Sequence, residues 1–125
     1  MNRDNDPFDL PPPPVPYRDF KSRYPAVVEA YEKLGKACHL HGPLEPKTRE
    51  LVKLGIAIGA GLEGATHAHV RLGLQAGASP DEIRHAGLLA TTTLGFPSTM
   101  RAMRWIEEEI VREEKRETAS GSARA

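Results

Sequence analysis

The sequence contains a single cysteine, Cys38, among its 125 residues. One thiol excludes an internal disulfide framework, a Cys-x-x-Cys redox pair and a zinc site built from several thiolates. The chain also lacks an excess of charge, because 17 basic and 17 acidic residues give a formal net charge of zero. The main electrostatic argument for binding nucleic acid or an anionic membrane is therefore missing.

Long hydrophobic runs are absent as well. No uncharged stretch approaches the roughly 20 apolar residues that cross a bilayer, and the polar, acidic residues 1–6 do not form a signal peptide. We therefore expect a cytoplasmic protein that contacts neither membrane nor nucleic acid. A monomer of this length would have a thin core, which favours assembly with further copies of the chain.

Two terminal segments are predicted to lie outside the folded domain. Residues 1–16 end in a proline-rich run that favours polyproline II, either as a spacer or as a docking peptide for a proline-binding module. Residues 116–125 have the composition of a disordered C-terminal tail. The domain is then expected to occupy residues 17–115.

Helix signals fill this domain, and no alternating pattern of a β-hairpin appears, so the chain is predicted to be all-α. Each of five helices is opened or closed by proline or glycine. Their approximate ranges are 25–42, 46–60, 64–77, 80–95 and 97–115. The start of the fourth is the clearest, because Ser79, Pro80 and Glu82 have the spacing of a capping box with proline at the first helical position.

Two of these segments are apolar on all sides. Residues 51–62 contain one charge, Lys53, and residues 86–97 contain none. A surface helix keeps one polar face, so these helices are expected to be buried partly by another subunit. Gly55 and Gly59 lie four residues apart and predict a close helix crossing.

Histidine and acidic residues are the next candidates for chemistry. Glu63 and His67 can share a helix face, whereas His67 and His69 point to opposite sides of the axis. Two ligands do not make a metal site, and Cys38 with His41 adds only another two, so neither metal nor cofactor is predicted. His39, His41 and His67 are expected to be partly exposed side chains, and Cys38 a structural residue.

The strongest candidates are Glu50 and His69, each of which lies beside strongly apolar sequence. A buried carboxylate or imidazole must find a partner or change its pKa. A Glu–His pair satisfies both groups and can transfer a proton if a substrate reaches it. From the pattern alone, a purely structural pair remains an alternative.

Residues 44–106 resemble the carboxymuconolactone decarboxylase family, which includes the alkylhydroperoxidase D-like proteins. The matching segments are residues 44–52, residues 69–71 leading to 76–83, and residues 94–97. In the alkylhydroperoxidase D-like branch, a glutamate and a histidine nineteen residues apart relay protons to two cysteines. Glu50 and His69 have that spacing, but the two cysteine positions hold Leu62 and Ala65.

The resemblance therefore implies a proton relay without the dithiol peroxidase chemistry. The decarboxylase branch lacks the cysteine pair and acts on lactone acids by acid–base chemistry alone. The resemblance also implies a compact helical bundle that assembles into homotrimers or homohexamers, with sites near subunit interfaces. Glu50 and His69 would then be the catalytic residues, and Arg71 or Arg49 could bind a substrate carboxylate.

Two other functions stay open at this point. The chain could be a non-catalytic oligomeric scaffold or small-ligand binder that retains the Glu–His pair for structure. It could also have the antioxidant, peroxiredoxin-type activity of the alkylhydroperoxidases, using Cys38 as its thiol.

Overall fold

The computed structural model describes the backbone of residues 15–124 and the side chains of residues 17–121. This part of the chain forms helices and contains no strand, so the all-α prediction is confirmed. The seven helices are α1 (Val15–Arg23), α2 (Pro25–Leu40), α3 (Pro46–Ala60), α4 (Glu63–Gln75), α5 (Pro80–Leu88), α6 (Thr91–Leu94) and α7 (Phe96–Arg124). Apart from its last two residues, which begin α1, the predicted N-terminal tail lies outside the described residues.

Local signals set most helix boundaries. The capping box is present, because the Ser79 hydroxyl accepts from the Glu82 backbone N–H at 3.0 Å and the Ser79 N–H donates to the Glu82 carboxylate at 2.9 Å. Pro25, Pro46 and Pro80 occupy the first helical positions, where the missing N–H costs no hydrogen bond. These three helices therefore begin where the sequence predicts.

Three helical features differ from the sequence prediction. The helix expected to reach Gly95 is divided into α5 and α6, because the Thr91 hydroxyl bonds to the Leu88 carbonyl at 2.7 Å and competes with the helical pattern. Helix α1 was not predicted. Helix α7 continues to Arg124 instead of giving way to a disordered tail at residues 116–125. Pairs of Glu and Arg three residues apart stabilise its charged part, and Arg116 binds Glu113 in this way.

Helix α4 lies at the centre of the fold, between α3 and α7, while α5 packs on α7. The core is formed by apolar side chains from these helices and from the connection between α4 and α5. They are Leu54, Ile58, Val70, Ala78, Ile83, Ala102, Ile106 and Ile110. Helix α2 buries a single side chain, Val28, and packs mainly against α1. The polar residues of α4 therefore face a neighbouring helix on each side.

The close helix approaches occur at other glycines than those predicted. A Cβ atom at Gly87 would lie 2.6 Å from the Ile106 Cδ1 atom, and one at Gly73 would lie 2.9 Å from Ile83 Cδ1. Within the described residues, no side chain or neighbouring backbone lies within 4 Å of such a position at Gly55 or Gly59. The predicted crossing is therefore wrong for the single chain.

Both apolar segments leave large side chains exposed. Those of α3 are Val52 and Ile56, and those of the segment from α5 to the start of α7 are Leu88, Leu89, Leu94 and Phe96. Burial of these surfaces by a second copy of the chain stays a prediction.

Candidate functional site

Glu50 and His69 meet between α3 and α4. The His69 Nδ1 atom lies 2.9 Å from the Glu50 Oε1 atom, and each residue is 5 % exposed. Gly61 and Leu62 connect the two helices directly, which places them side by side. Gly73, one turn beyond His69, lies beside the glutamate, since a Cβ atom there would be in ordinary van der Waals contact with Glu50 Cβ at 3.8 Å. The structure thus brings the two strongest candidates into hydrogen-bond contact.

The charges around Glu50 favour its ionised form. Burial by itself raises the pKa of a carboxyl group, but here the hydrogen bond with His69 and the positive charges of His69, Lys53 and His39 bring the pKa of Glu50 below its ordinary value. An ionised Glu50 accepts the Nδ1 proton of His69. The lone pair of the neutral imidazole is then on Nε2.

A small group of basic side chains borders this pair. His39, at the end of α2, has its Nε2 atom 2.8 Å from the Lys53 Nζ atom, and its backbone carbonyl accepts from Arg49 Nη1 at 3.3 Å. Burial, followed by the charges of Lys53 and Arg49, lowers the pKa of His39. Lys53 was not predicted to belong to the site. It nevertheless follows Glu50 by three residues and therefore lies on the same face of α3.

The two arginines proposed for a substrate carboxylate lie in different places. The Arg49 Nε atom is 4.0 Å from Glu50 Oε2, and its side chain is partly exposed, so Arg49 belongs to the Glu50 site. Arg71 is completely buried, with its Nη1 atom 4.0 Å from Glu109 Oε2 on α7. Arg71 therefore lies beside Glu109 and not beside the Glu50–His69 pair.

A second buried Glu–His pair lies on the other side of α4. The His67 Nδ1 atom is 2.9 Å from Glu109 Oε1, and both side chains are almost fully buried. His67 is therefore not the partly exposed side chain that the sequence predicted. Its Nε2 atom lies 3.4 Å from the Glu108 Oε1 atom and 4.0 Å from the Glu63 Oε2 atom. Sequence reasoning recognised the Glu63–His67 spacing but missed both residues of α7.

A further carboxyl group, that of Glu113, lies beside Glu109 of the second pair. Burial, together with a side-chain hydrogen bond to Glu109, raises the pKa of Glu113 to about 7. For Glu109, burial acts upwards, but hydrogen bonds with His67 and Glu113 and the charge of Arg112 bring the pKa below its ordinary value. Glu109 therefore holds the charge, and Glu113 keeps its proton to a higher pH than an ordinary glutamate.

An apolar groove of about 580 Å³ runs between α3, α5 and α6. Its α3 wall includes Thr48, Val52 and Gly55. Two residues correspond to about 200° around a helix, so Glu50 lies on the opposite side of α3 from Thr48 and Val52. Neither Glu50 nor His69 lines this groove. Cys38 is exposed on α2, away from the positions of Leu62 and Ala65 in the chain.

The fold and site together define a class: small helical domains with a buried carboxylate–imidazole pair between two central helices. The model of the carboxymuconolactone decarboxylase family matches residues 25–108, more than half of the chain, and the protein belongs to that family. No curated protein and no solved structure gave a match. None of the described helices combines the length and the apolar character that crossing a membrane requires.

Proposed function

We propose that the protein carries out cofactor-free acid–base chemistry on a small organic acid or lactone, as a decarboxylase-like lyase. The observation that supports this most directly is the 2.9 Å contact between His69 Nδ1 and Glu50 Oε1 in a buried setting. Membership of the carboxymuconolactone decarboxylase family supports the same reaction class. The pair needs no thiol for this chemistry.

Each residue of the pair has a separate task in this proposal. His69 Nε2 accepts a proton from the substrate and returns it, while Glu50 holds the imidazole in one tautomer and stabilises its protonated form. The lowered pKa of Glu50 keeps its carboxylate ionised for that purpose. Arg49, which lies 4.0 Å from Glu50, would bind the carboxylate of the substrate.

Assembly is part of the proposal. Exposed apolar side chains on α3, α5 and the start of α7 favour a homotrimer or homohexamer, and neighbouring copies would complete the substrate pocket. Dithiol peroxidase chemistry is not part of it, because leucine and alanine at positions 62 and 65 form neither a thiolate nor a disulfide.

A second candidate function is a non-catalytic scaffold or ligand binder. It is favoured by the burial of Glu50 and His69, and by the fact that neither lines the apolar groove of the described chain. In that case the pair satisfies two buried polar groups and stabilises the fold.

The test is a screen of small lactones, keto acids and peroxides, followed by Glu50→Gln and His69→Gln. We expect kcat to fall at least about 100-fold in each variant, since a positioned acid–base group contributes that much. The mass of the assembly should not change, and the Tm should fall only by the several degrees that a loss of about 1–2 kcal/mol produces. Glu45→Gln, an exposed glutamate at the start of α3, is the matched control.

Other results of the same experiment separate the alternatives. A protein that turns over nothing in the screen, and whose Glu50→Gln and His69→Gln variants lose mainly stability, supports the scaffold. Peroxide turnover that disappears in Cys38→Ser would instead support the thiol-dependent activity.

A further inference from the structure

The side of α4 that faces α7 gathers three metal-ligating groups. Glu63 lies in the first turn of α4, His67 one turn later, and Glu108 on α7. One ligand atom from each residue lies within 4.8 Å of the other two. The Glu63–His67 spacing supplied only two ligands in the sequence, and α7 adds the third.

The imidazole is also oriented for metal binding. His67 is 2 % exposed, and its Nδ1 atom is 2.9 Å from Glu109 Oε1. Glu109 is itself completely buried and accepts from Arg112 Nη1 at 2.6 Å. A carboxylate that accepts the Nδ1 proton leaves the lone pair on Nε2, and metal-ligating histidines are usually held in this way. That nitrogen faces Glu108 and Glu63. The structure therefore contains both the three ligands and the carboxylate, Glu109, that orients the imidazole.

We propose that Glu63, His67 and Glu108 bind a divalent first-row transition-metal ion such as Zn²⁺, with Glu109 orienting His67. One imidazole and two carboxylates suit Zn²⁺, Mn²⁺ or Fe²⁺ better than Ca²⁺ or Mg²⁺. This site lies on the opposite side of α4 from His69 and goes beyond the proposed acid–base function.

The distances agree with a tetrahedral site. Two ligand atoms at about 2.0–2.1 Å from one zinc ion are separated by about 3.3 Å, and His67 Nε2 is 3.4 Å from Glu108 Oε1. Glu63 Oε2 is 4.0 Å from the same nitrogen, and this side chain is 27 % exposed, so it can close the remaining gap. Glu108 is exposed as well, and its other carboxylate oxygen, Oε2, lies 3.6 Å from Arg104 Nη1.

The experiment uses the full chain after removal of metal by a chelator. Zn²⁺ is titrated in competition with a chromophoric chelator, and Co²⁺ is added separately to record its absorption spectrum. Glu63→Gln and Glu108→Gln are the test variants. His67→Ala is avoided because it would remove one of the hydrogen-bond partners of the buried Glu109 and could destabilise the fold.

Two controls keep the result specific. Glu114→Gln removes an exposed carboxylate of α7 that is not part of the cluster. The double variant Cys38→Ser/His41→Ala removes a thiolate and an imidazole that a surface-bound zinc ion could use instead. A thiolate-to-cobalt charge-transfer band would report binding at Cys38 instead of at the proposed site.

We expect the wild type and both controls to bind one zinc ion with a Kd of about 10 µM or lower. Glu63→Gln and Glu108→Gln should each weaken binding at least about tenfold, and zinc should raise the Tm of the wild type but not that of Glu108→Gln. Equal affinity in wild type and both test variants, loss of binding in the Cys38/His41 variant, or no binding by the wild type would each overturn the proposal.

Discussion

Helix α4 carries two histidines whose Nδ1 atoms each lie 2.9 Å from a buried glutamate, and the two pairs differ in their surroundings. Around Glu50 and His69 the neighbours are basic: His39, Arg49 and Lys53. Around His67 the neighbours are mostly acidic. They include Glu63, Glu108, Glu109 and Glu113, with Arg71 and Arg112 beside Glu109 and Arg104 beside Glu108.

In our two proposals, the same pair of residues supports different chemistry in different electrostatic settings. A basic border attracts an organic acid and keeps Glu50 ionised, which suits proton transfer. An acidic border attracts a cation and directs His67 Nε2 towards it. His67 and His69 are only two residues apart on α4, but this spacing places their side chains on opposite sides of the helix axis. Each histidine therefore meets a different set of neighbours.

The largest difference is expected in stability. Glu109→Gln should lower the free energy of unfolding by about 3–5 kcal/mol, because it removes the anion from a completely buried site that contains Arg71. Glu50→Gln should cost about 1–2 kcal/mol, since the partly exposed Arg49 and Lys53 can turn towards water. Urea unfolding followed by circular dichroism, with a chelator present, measures both.

Glu114→Gln, an exposed change on the same helix as Glu109, should alter stability by less than about 0.5 kcal/mol and serves as the control. An equal loss in the free energy of unfolding for Glu109→Gln and Glu50→Gln would contradict this comparison. It would mean that the buried neighbours of Glu109 and the partly exposed neighbours of Glu50 make no difference to stability.

The second prediction concerns assembly. Leu89→Asp places a charge on the apolar groove formed with α3 and should weaken self-association at least tenfold, about 1.4 kcal/mol. Turnover at Glu50 and His69 should fall with it, because neighbouring copies complete that pocket in our proposal. Zinc binding at His67 should be unchanged, since its ligands come from one chain. Light scattering gives the mass, and the competition titration gives the affinity.

Val111→Asp is the matched control, because Val111 is an exposed apolar residue on α7. A loss of assembly in Val111→Asp but not in Leu89→Asp would place the contact between copies on α7. It would contradict the prediction that the apolar groove forms this contact.

The sequence was sufficient for the features that local signals determine. Pro25, Pro46 and the Ser79–Glu82 capping box mark helix starts that the structure reproduces. The break between α5 and α6 was not predictable from those signals, because it depends on a hydroxyl–carbonyl bond inside an apolar stretch. The continuation of α7 depends on ion pairs within a run that has the composition of a solvated tail.

The same division applies to the two sites. Glu50 and His69 were identified because each lies beside strongly apolar sequence, and because their spacing of nineteen residues matches the pattern of the family that residues 44–106 resemble. Glu109 is 42 residues from His67 and stands within a charged run of α7, where its sequence neighbours give no sign of burial. Only the packing of α7 on α4 distinguishes it from the exposed glutamates beside it.

The smallest expected effect is a pH dependence confined to the acidic side of α4. The pKa of Glu113 is about 7 in the folded chain, because burial and the bond to Glu109 raise it from 4.5. Between these two pH values the unfolded chain has released a proton that the folded chain retains, so unfolding releases a proton and stability falls as pH rises. Partial solvent screening limits the effect to about 1 kcal/mol.

Glu113→Gln should remove this pH dependence. Between pH 5 and pH 8, unfolding curves should therefore show that the wild type loses more stability than the variant does. Parallel pH profiles for the two proteins would mean that Glu109 and Glu113 do not share a proton.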